Sequence, residues 1–224
     1  MKQVPLINRT PWDALAFDME ACELLEYSEI LLKQTALTPG HQTIKVDPLA
    51  DKRLLHEHNF YYCDTLLVPR CNAVRLRAVN HSNASISKLI DAGKALEIFH
   101  GAFTHGRFHR DFNLPKVMAD LRYDNWLKQL LDAQQVYGLY WEGDLAGFIG
   151  CIDNNLLLHA VAEKYRGKGL SKYWWSEVCA ALLANGHDEV KSSISATNVA
   201  ALNLYTSLGF SFSNPQDVYH RIVL

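Results

Sequence analysis

Paired cysteines, a long apolar run and a charge imbalance are all missing from this chain, and each absence removes a class of protein. The five cysteines, Cys22, Cys63, Cys71, Cys151 and Cys179, are odd in number, widely spaced and without any CxxC pair. Such usage predicts reduced thiols, with neither a disulfide framework nor a zinc knuckle. No uninterrupted apolar run approaches the roughly 20 residues of a membrane span. The N-terminal stretch "MKQVPLINRTPWDALAF" is broken by Pro5, Asn8, Arg9 and Pro11 before an apolar signal core can form. A formal charge of -2 offers no global attraction to nucleic acid or to an anionic membrane, so any anion site has to be local. Internal repeats and low-complexity segments are lacking too. The expectation is a soluble cytoplasmic protein that acts on a small molecule, without nucleic-acid or membrane partners, and with a homodimer left open.

What is present is enough apolar material for a real core: 49% of 224 residues. The chain divides at a soft boundary into a smaller α/β module over 1–72 and a more regular part over 73–224. In the first part "DMEACELLEYSEILLKQ" reads as a helix or a strand pair, "TPGHQ" as a polar break and "FYYCDTLLV" as a β-rich run. In the second, the pattern predicts a strand at about 74–79, helical periodicity at about 85–100, and an amphipathic helix in "PKVMADLRYDNWLKQLLDA" with Pro115 at its first turn. "VYGLYWE" and "LAGFIGCI" around Gly143 and Asp144 predict a hairpin, and "NLLLHAVA" a third strand. A helix through "LSKYWWSEVCAALLANG", capped by Gly186, a strand "VKSSISA", a helix "NVAALNLYTSLG" closed by Gly209 and two last strands, "FSFS" and "VYHRIVL", complete the series.

Between the third strand and the next helix lies "YRGKGLS", with Lys164, Arg166, Lys168 and Lys172 clustered about it. A glycine-rich loop that leaves a strand and opens a helix presents unpaired amides at the positive end of a helix dipole, which suits phosphate. It is not a Walker A loop, because Lys168 is followed by Gly169 rather than Ser or Thr. A dinucleotide fingerprint matches at Gly167 and Gly169 but meets Lys172 where a third glycine belongs, and Asp188 and Glu189 precede the next strand, at its wrong end for a ribose contact.

"AVAEKYRGKGLS" followed by "SATNVAALNLYTSLGF" resembles the GNAT acetyltransferase superfamily, over about residues 74–224. The loop pattern falls on Arg166, Gly167, Lys168, Gly169, Leu170 and Ser171, with Ser171 in place of the last small residue, and the downstream pattern on Asn198, Ala201, Tyr205, Gly209 and Phe210. The resemblance implies an α/β GNAT fold: a mixed, mostly antiparallel central sheet, splayed at the acetyl-CoA site and flanked by helices. It also implies that the loop amides grip the pyrophosphate of acetyl-CoA, that strand amides near Ala160 and Val161 bind the thioester or pantetheine arm, and that Asn198 contacts the arm with its amide. Tyr205 is then the expected acid, because a phenol near its ordinary pKa is protonated at pH 7 and can deliver a proton to the departing sulfur. Transfer is direct, with no covalent enzyme intermediate.

A second stretch, "HGAFTHGRFHRDFNLP" with "ADLRYDNWLKQ", and "TPWDALAFDMEACEL" near the start resemble the bacterial nucleotide-amino-sugar N-acetyltransferases, among them the dTDP-fucosamine acetyltransferase of enterobacterial common antigen synthesis. That implies a 4-amino-4,6-dideoxyhexose on a nucleoside diphosphate as acetyl acceptor. Arg107, His109, Arg110 and Asp111 become candidate acceptor contacts, since arginine suits a diphosphate and Asp or His a hydroxyl or amine. The alternatives are a solvated polar loop at that segment, another amine as acceptor (a protein N-terminus, a polyamine, an antibiotic), or a CoA-binding sensor without activity. His105 and His109 have the i, i+4 spacing of a metal pair near His100, but Gly101, Gly106 and the absence of HExxH argue against it, and no metal is expected.

Overall fold

The computed structural model describes residues 6–224; residues 1–5, part of the N-terminal stretch read above and including Pro5, lie outside the described residues. The first strands and helices are β1 (Ile7–Arg9), α1 (Pro11–Phe17), β2 (Ala21–Leu24), α2 (Glu29–Gln34), β3 (Gly40–Val46), α3 (Arg53–Glu57) and β4 (Tyr61–Asn72). There follow β5 (Ala84–Ser87), α4 (Ala92–Phe99), α5 (Lys116–Asp132), β6 (Val136–Trp141), β7 (Asp144–Ile152) and β8 (Asn155–Val161). The chain ends with α6 (Ser171–Ala184), β9 (Glu189–Ser192), β10 (Ile194–Ser195), α7 (Val199–Ser207) and β11 (Ser211–Val223). No helix among the described residues is long and apolar enough to cross a membrane.

Two compact units are built from interleaved stretches, one from 6–66, 104–123 and 215–224, the other from 67–103 and 124–214. They do not follow a single cut between 72 and 73. In the first unit, β2 pairs antiparallel with β1 and parallel with β3, and β3 pairs antiparallel with residues 217–223 of β11. Leu24, Leu31, Leu32, Ile44, Leu55 and Phe60 form one core there, and Phe17, Phe108, Leu114 and Ala119 another. Gly40 begins β3 at φ +122, where an added Cβ would meet the Glu20 carbonyl oxygen at 2.2 Å, so only glycine lets the chain enter this strand.

In the second unit, β5, β6, β7 and β8 form consecutive antiparallel pairs, β8 pairs parallel with β9, and β9 pairs antiparallel with the end of β4. The α/β class and the mostly antiparallel sheet agree with the sequence reading. Trp174, Val178, Cys179 and Leu182 of α6 pack with Leu139, Ile149, Leu156 and Tyr205 in the core of this unit.

Four local expectations need correction. The run 74–79 is not a strand: the amides of Arg75 and Leu76 both turn back to the Asn72 carbonyl, and the Asn72 side chain also accepts from Arg75, so a turn ends β4 there. The stretch 85–100 splits, because "ASIS" pairs with β6 and Asp91 then caps α4 by accepting from the Lys94 amide at 3.0 Å. The β6–β7 turn sits at Glu142 and Gly143, with φ 52 and 87, while Asp144 already pairs with Trp141. The last two strands are one, β11.

Candidate active site

The chain leaves β8 through a short 3-10 turn, Glu163–Tyr165, and enters the glycine loop. Gly167 and Gly169 both take left-handed backbone, at φ 71 and 69, and a Cβ on either would meet no atom within 4 Å. The glycines therefore serve conformation and leave the space above the backbone free. At the start of α6 no side chain caps the first turn and no acidic residue lies in it. Its leading amides remain available, with the dipole's positive end behind them. A pyrophosphate fits such a cradle, which no side chain fills. Lys168 is exposed; Lys172 lies over the Tyr173 ring at 5.0 Å. Arg166 does not reach outward through Nε, which donates to the Val161 carbonyl oxygen at 2.6 Å.

The strand before the loop has parted from its neighbour. β8 and β9 are paired only at Asn155↔Lys191 and Leu156↔Ser192, whereas β8 stays paired with β7 up to Gly147↔Val161. The amide of Ala162 donates to the Ala146 carbonyl at 2.8 Å. Alternation along an antiparallel ladder then turns the amide of Ala160 toward β7 and those of His159 and Val161 toward the opened edge. Of the two residues expected to offer an amide, Val161 faces the opened edge, as does His159, whereas Ala160 faces β7.

Tyr205, on α7, is completely buried, its ring 4.8 Å from that of Phe210 and 6.4 Å from that of His159. Burial pushes its phenol well above the ordinary range, while Ser192 and Trp175, hydrogen-bonding groups beside the phenol oxygen, act in the opposite direction. The Ser192 hydroxyl donates to the Leu156 carbonyl at 2.7 Å. Tyr205 Oη and Trp175 Nε1 are both buried without a completed hydrogen bond. His159 sits 5.1 Å from the Trp175 ring, and burial lowers it to about 4, so it is neutral at pH 7. Asn198 caps α7 by accepting from the Ala201 amide at 3.1 Å, which leaves its Nδ2 hydrogens for another partner. Sequence reading missed His159, Trp175 and Ser192; their signal was position only, His159 on the strand feeding the loop and Trp175 one turn into α6.

The segment "RFHRD" belongs to the other unit. Three of its four candidates are engaged internally: His109 Nε2 with Asp120 at 2.9 Å, Arg110 Nη1 with Asp64 at 2.6 Å, and Asp111 with His220 Nδ1 at 2.7 Å and the Tyr61 hydroxyl at 3.1 Å. Burial alone would raise Asp111, but hydrogen bonding from His220 and the nearby His41 holds it well below the carboxylate range, and His220 itself is pushed down to about 4 by burial. Arg107 differs. Its guanidinium lies 4.7 Å over the Phe108 ring, and its buried Nε has no partner.

Two of the three histidines weighed as metal ligands have carboxylate partners: His100 bonds Asp124 at 2.8 Å and His109 bonds Asp120 at 2.9 Å. Elsewhere, donor atoms of His41, Asp111 and His220 lie within 4.8 Å of one another, with the Asp111–His220 hydrogen bond occupying one edge of the group.

Residues 113–224 match the family model for the acetyltransferase (GNAT) domain, which is half of the chain. The chain belongs to the GNAT acetyltransferase family and is an N-acetyltransferase, whose family chemistry uses acetyl-CoA. A conserved protein of unknown function from Staphylococcus epidermidis ATCC 12228 shares the fold at TM-score 0.67 and 14% identity, over 100% of this chain and 94% of that one. A GCN5-related N-acetyltransferase from Sphaerobacter thermophilus aligns at TM-score 0.60 and 13% identity over 84% of this chain, which spans 61% of that protein. A GNAT-family acetyltransferase from Colwellia psychrerythraea aligns at TM-score 0.55 and 14% identity, over 91% and 81% of the two chains. A search of curated proteins gives no match.

Proposed function

We propose that this N-acetyltransferase moves the acetyl group of acetyl-CoA directly to a primary amine, the 4-amino group of a nucleotide-linked 4-amino-4,6-dideoxyhexose. The observation that carries the transfer is the pairing of an uncapped α6 N-terminus, reached through two left-handed glycines, with a β8 edge that has lost its neighbour after Leu156. Amides of Gly167 to Ser171 bind the pyrophosphate, with Lys168 adding charge. The free amides of His159 and Val161 hold the pantetheine arm or the thioester oxygen, and Asn198 reaches the arm through Nδ2.

Chemically, the amine must be neutral, the carbonyl polarised and the departing thiolate protonated. Electron-withdrawing sugar oxygens lower the amine's pKa from the value of roughly 10 typical of an alkyl ammonium. Tyr205, uncharged at pH 7, gives its proton to sulfur as the C–S bond breaks; the proton lost by the amine on forming the amide restores the phenol through solvent. Net, nitrogen loses one proton and sulfur gains one.

For the acceptor, Arg107 is the strongest support, because a buried guanidinium nitrogen without a partner is costly unless a ligand anion completes it. Asp111, Arg110 and His109 would shape that site more than touch the ligand. The test is turnover of acetyl-CoA, read as free thiol, against a panel of nucleotide-linked 4-amino sugars, polyamines, aminoglycosides and peptide N-termini. Preferred turnover of a nucleotide sugar supports the reading; turnover of another amine alone replaces the acceptor; binding of CoA with no turnover supports a sensor.

A further inference from the structure

The neighbourhood of Tyr205 contains two buried hydrogen-bond donors, neither of which makes a hydrogen bond. Tyr205 Oη and Trp175 Nε1 lack partners, although Trp175 is 2% exposed and Tyr205 0%. An indole N–H can only donate. Buried polar groups are ordinarily satisfied, and one left open calls for an explanation, a catalytic role among them. The two rings flank His159, at 5.1 and 6.4 Å, and His159 is uncharged, so no cation competes for the phenol oxygen there. The remaining neighbour, Ser192, spends its proton on the Leu156 carbonyl at 2.7 Å and so has none to give the phenol oxygen. In the resting protein the phenol is neutral and the indole N–H beside it is unspent.

That changes once the phenol loses its proton. A tyrosinate in this buried setting needs a donor, and the unspent N–H of Trp175 is the nearby group able to supply one. Resting on the reading of Tyr205 as the acid, we propose that Trp175 is its positioning residue: the indole N–H, unspent at rest, turns to the phenol oxygen as it loses its proton and stabilises the tyrosinate left when Tyr205 protonates the CoA sulfur. The balance is one proton moved from Tyr205 oxygen to sulfur as the C–S bond breaks, and one returned to the oxygen from the acylated nitrogen through solvent. Trp174, next in sequence, has no share in this, since its Nε1 donates to the Tyr140 carbonyl at 2.8 Å. The sequence offers two adjacent tryptophans; only one has its N–H unspent.

The test reads ionisation at the one position, independently of any acceptor. Tyr205 is replaced by 3,5-difluorotyrosine, whose more acidic phenol titrates in an accessible range, and followed by fluorine NMR in the full chain with CoA bound. Trp175→Phe, which keeps an aromatic ring and removes the N–H, should raise that pKa by about one unit or more, a tenfold loss in the tyrosinate's stability. If Trp175→Phe folds poorly, benzothienylalanine at 175 keeps the bicyclic volume and removes only the N–H. An unshifted pKa in the folded protein would overturn the proposal.

Kinetics separate the proposal from the reading beneath it. With acetyl-CoA and a dTDP-linked 4-amino-4,6-dideoxyhexose, Trp175→Phe should lower kcat about tenfold with KM for acetyl-CoA unchanged, yet change little in a Tyr205→Phe background. Equal losses in both backgrounds would assign Trp175 to packing alone and overturn the proposal. Full kcat in Tyr205→Phe by itself would overturn the acid reading, whatever the titration shows of the Trp175 contact.

Discussion

Arg166 and Val161 close the turn between β8 and the glycine loop: the Arg166 Nε donates to the Val161 carbonyl oxygen at 2.6 Å. The first residue of the loop motif is therefore tied to the last residue of the opened strand, the two stretches proposed to hold acetyl-CoA. Arg166→Ala should loosen that link while sparing the core, so CoA affinity should fall about tenfold with Tm lowered by only a few degrees. Calorimetric titration of CoA beside a thermal melt checks both; a large Tm loss with unchanged affinity would place Arg166 in stability alone.

Gly169→Val keeps the fold, because no atom lies within 4 Å of the added Cβ, but it puts a β-branched residue at φ 69. Such strain costs on the order of 1–3 kcal/mol and re-aims the loop amides. The dissociation constant for CoA should rise about tenfold or more, and a folded variant with native affinity would refute the phosphate cradle.

Two arginines three residues apart should behave differently. Arg107→Ala removes a guanidinium whose Nε is unpartnered, so the acceptor's KM should rise about tenfold or more with CoA affinity intact. Arg110→Ala breaks a pair with the fully buried Asp64 and should instead cost stability, roughly 1.5–3 kcal/mol. Denaturant melts and acceptor titrations of both variants check the contrast; identical behaviour would contradict it.

Most of the candidate cofactor site could be read from residue order, and the reason is local. Glycines at 167 and 169, the uncapped helix after them and the asparagine that caps α7 all act within a few residues of themselves. The acceptor side was less legible. His41, Gln42 and Thr43 are buried polar residues on β3, so the strand shows no apolar alternation, and "TPGHQ" passes for a loop. Asp111 and His220 are 109 residues apart and meet only in the folded unit. "AVRLRAV" alternates as a strand should, but Asn72 turns the chain before a ladder can continue. His159 and Trp175 escaped notice because an aromatic on a strand or helix is most often packing, and only the unspent indole N–H marks it otherwise.

Stability should fall as the solution is acidified below the ordinary histidine range. His159 and His220 are both lowered to about 4 by burial, so between pH 6.5 and 4 the unfolded chain binds protons that the folded one refuses. Each group then costs up to about 1.4 kcal/mol per pH unit across that window. The Asp111 contribution has the opposite origin, a depressed carboxylate, and persists through this window until the pH drops below about 4. Melts at pH 7.5, 6.5, 5.5 and 4.5 should show Tm level at first and then declining; a level Tm to 4.5 would contradict the burial of neutral imidazoles.

Replacing Tyr205 with Phe tests the account at its centre, because the variant removes one oxygen and leaves the ring in the core. That oxygen satisfies no hydrogen bond at rest, so stability should be unchanged or slightly higher. General acid catalysis contributes about 10²- to 10⁴-fold, so kcat for acetyl transfer to the best amine of the panel should fall within that range while CoA affinity holds. The decisive measurement is single-turnover thiol release by Tyr205→Phe, with both substrates saturating. A fall of at least about a hundredfold in a protein that melts and binds CoA normally is the predicted result; full-rate release would contradict it and require the proton to come from water or another side chain.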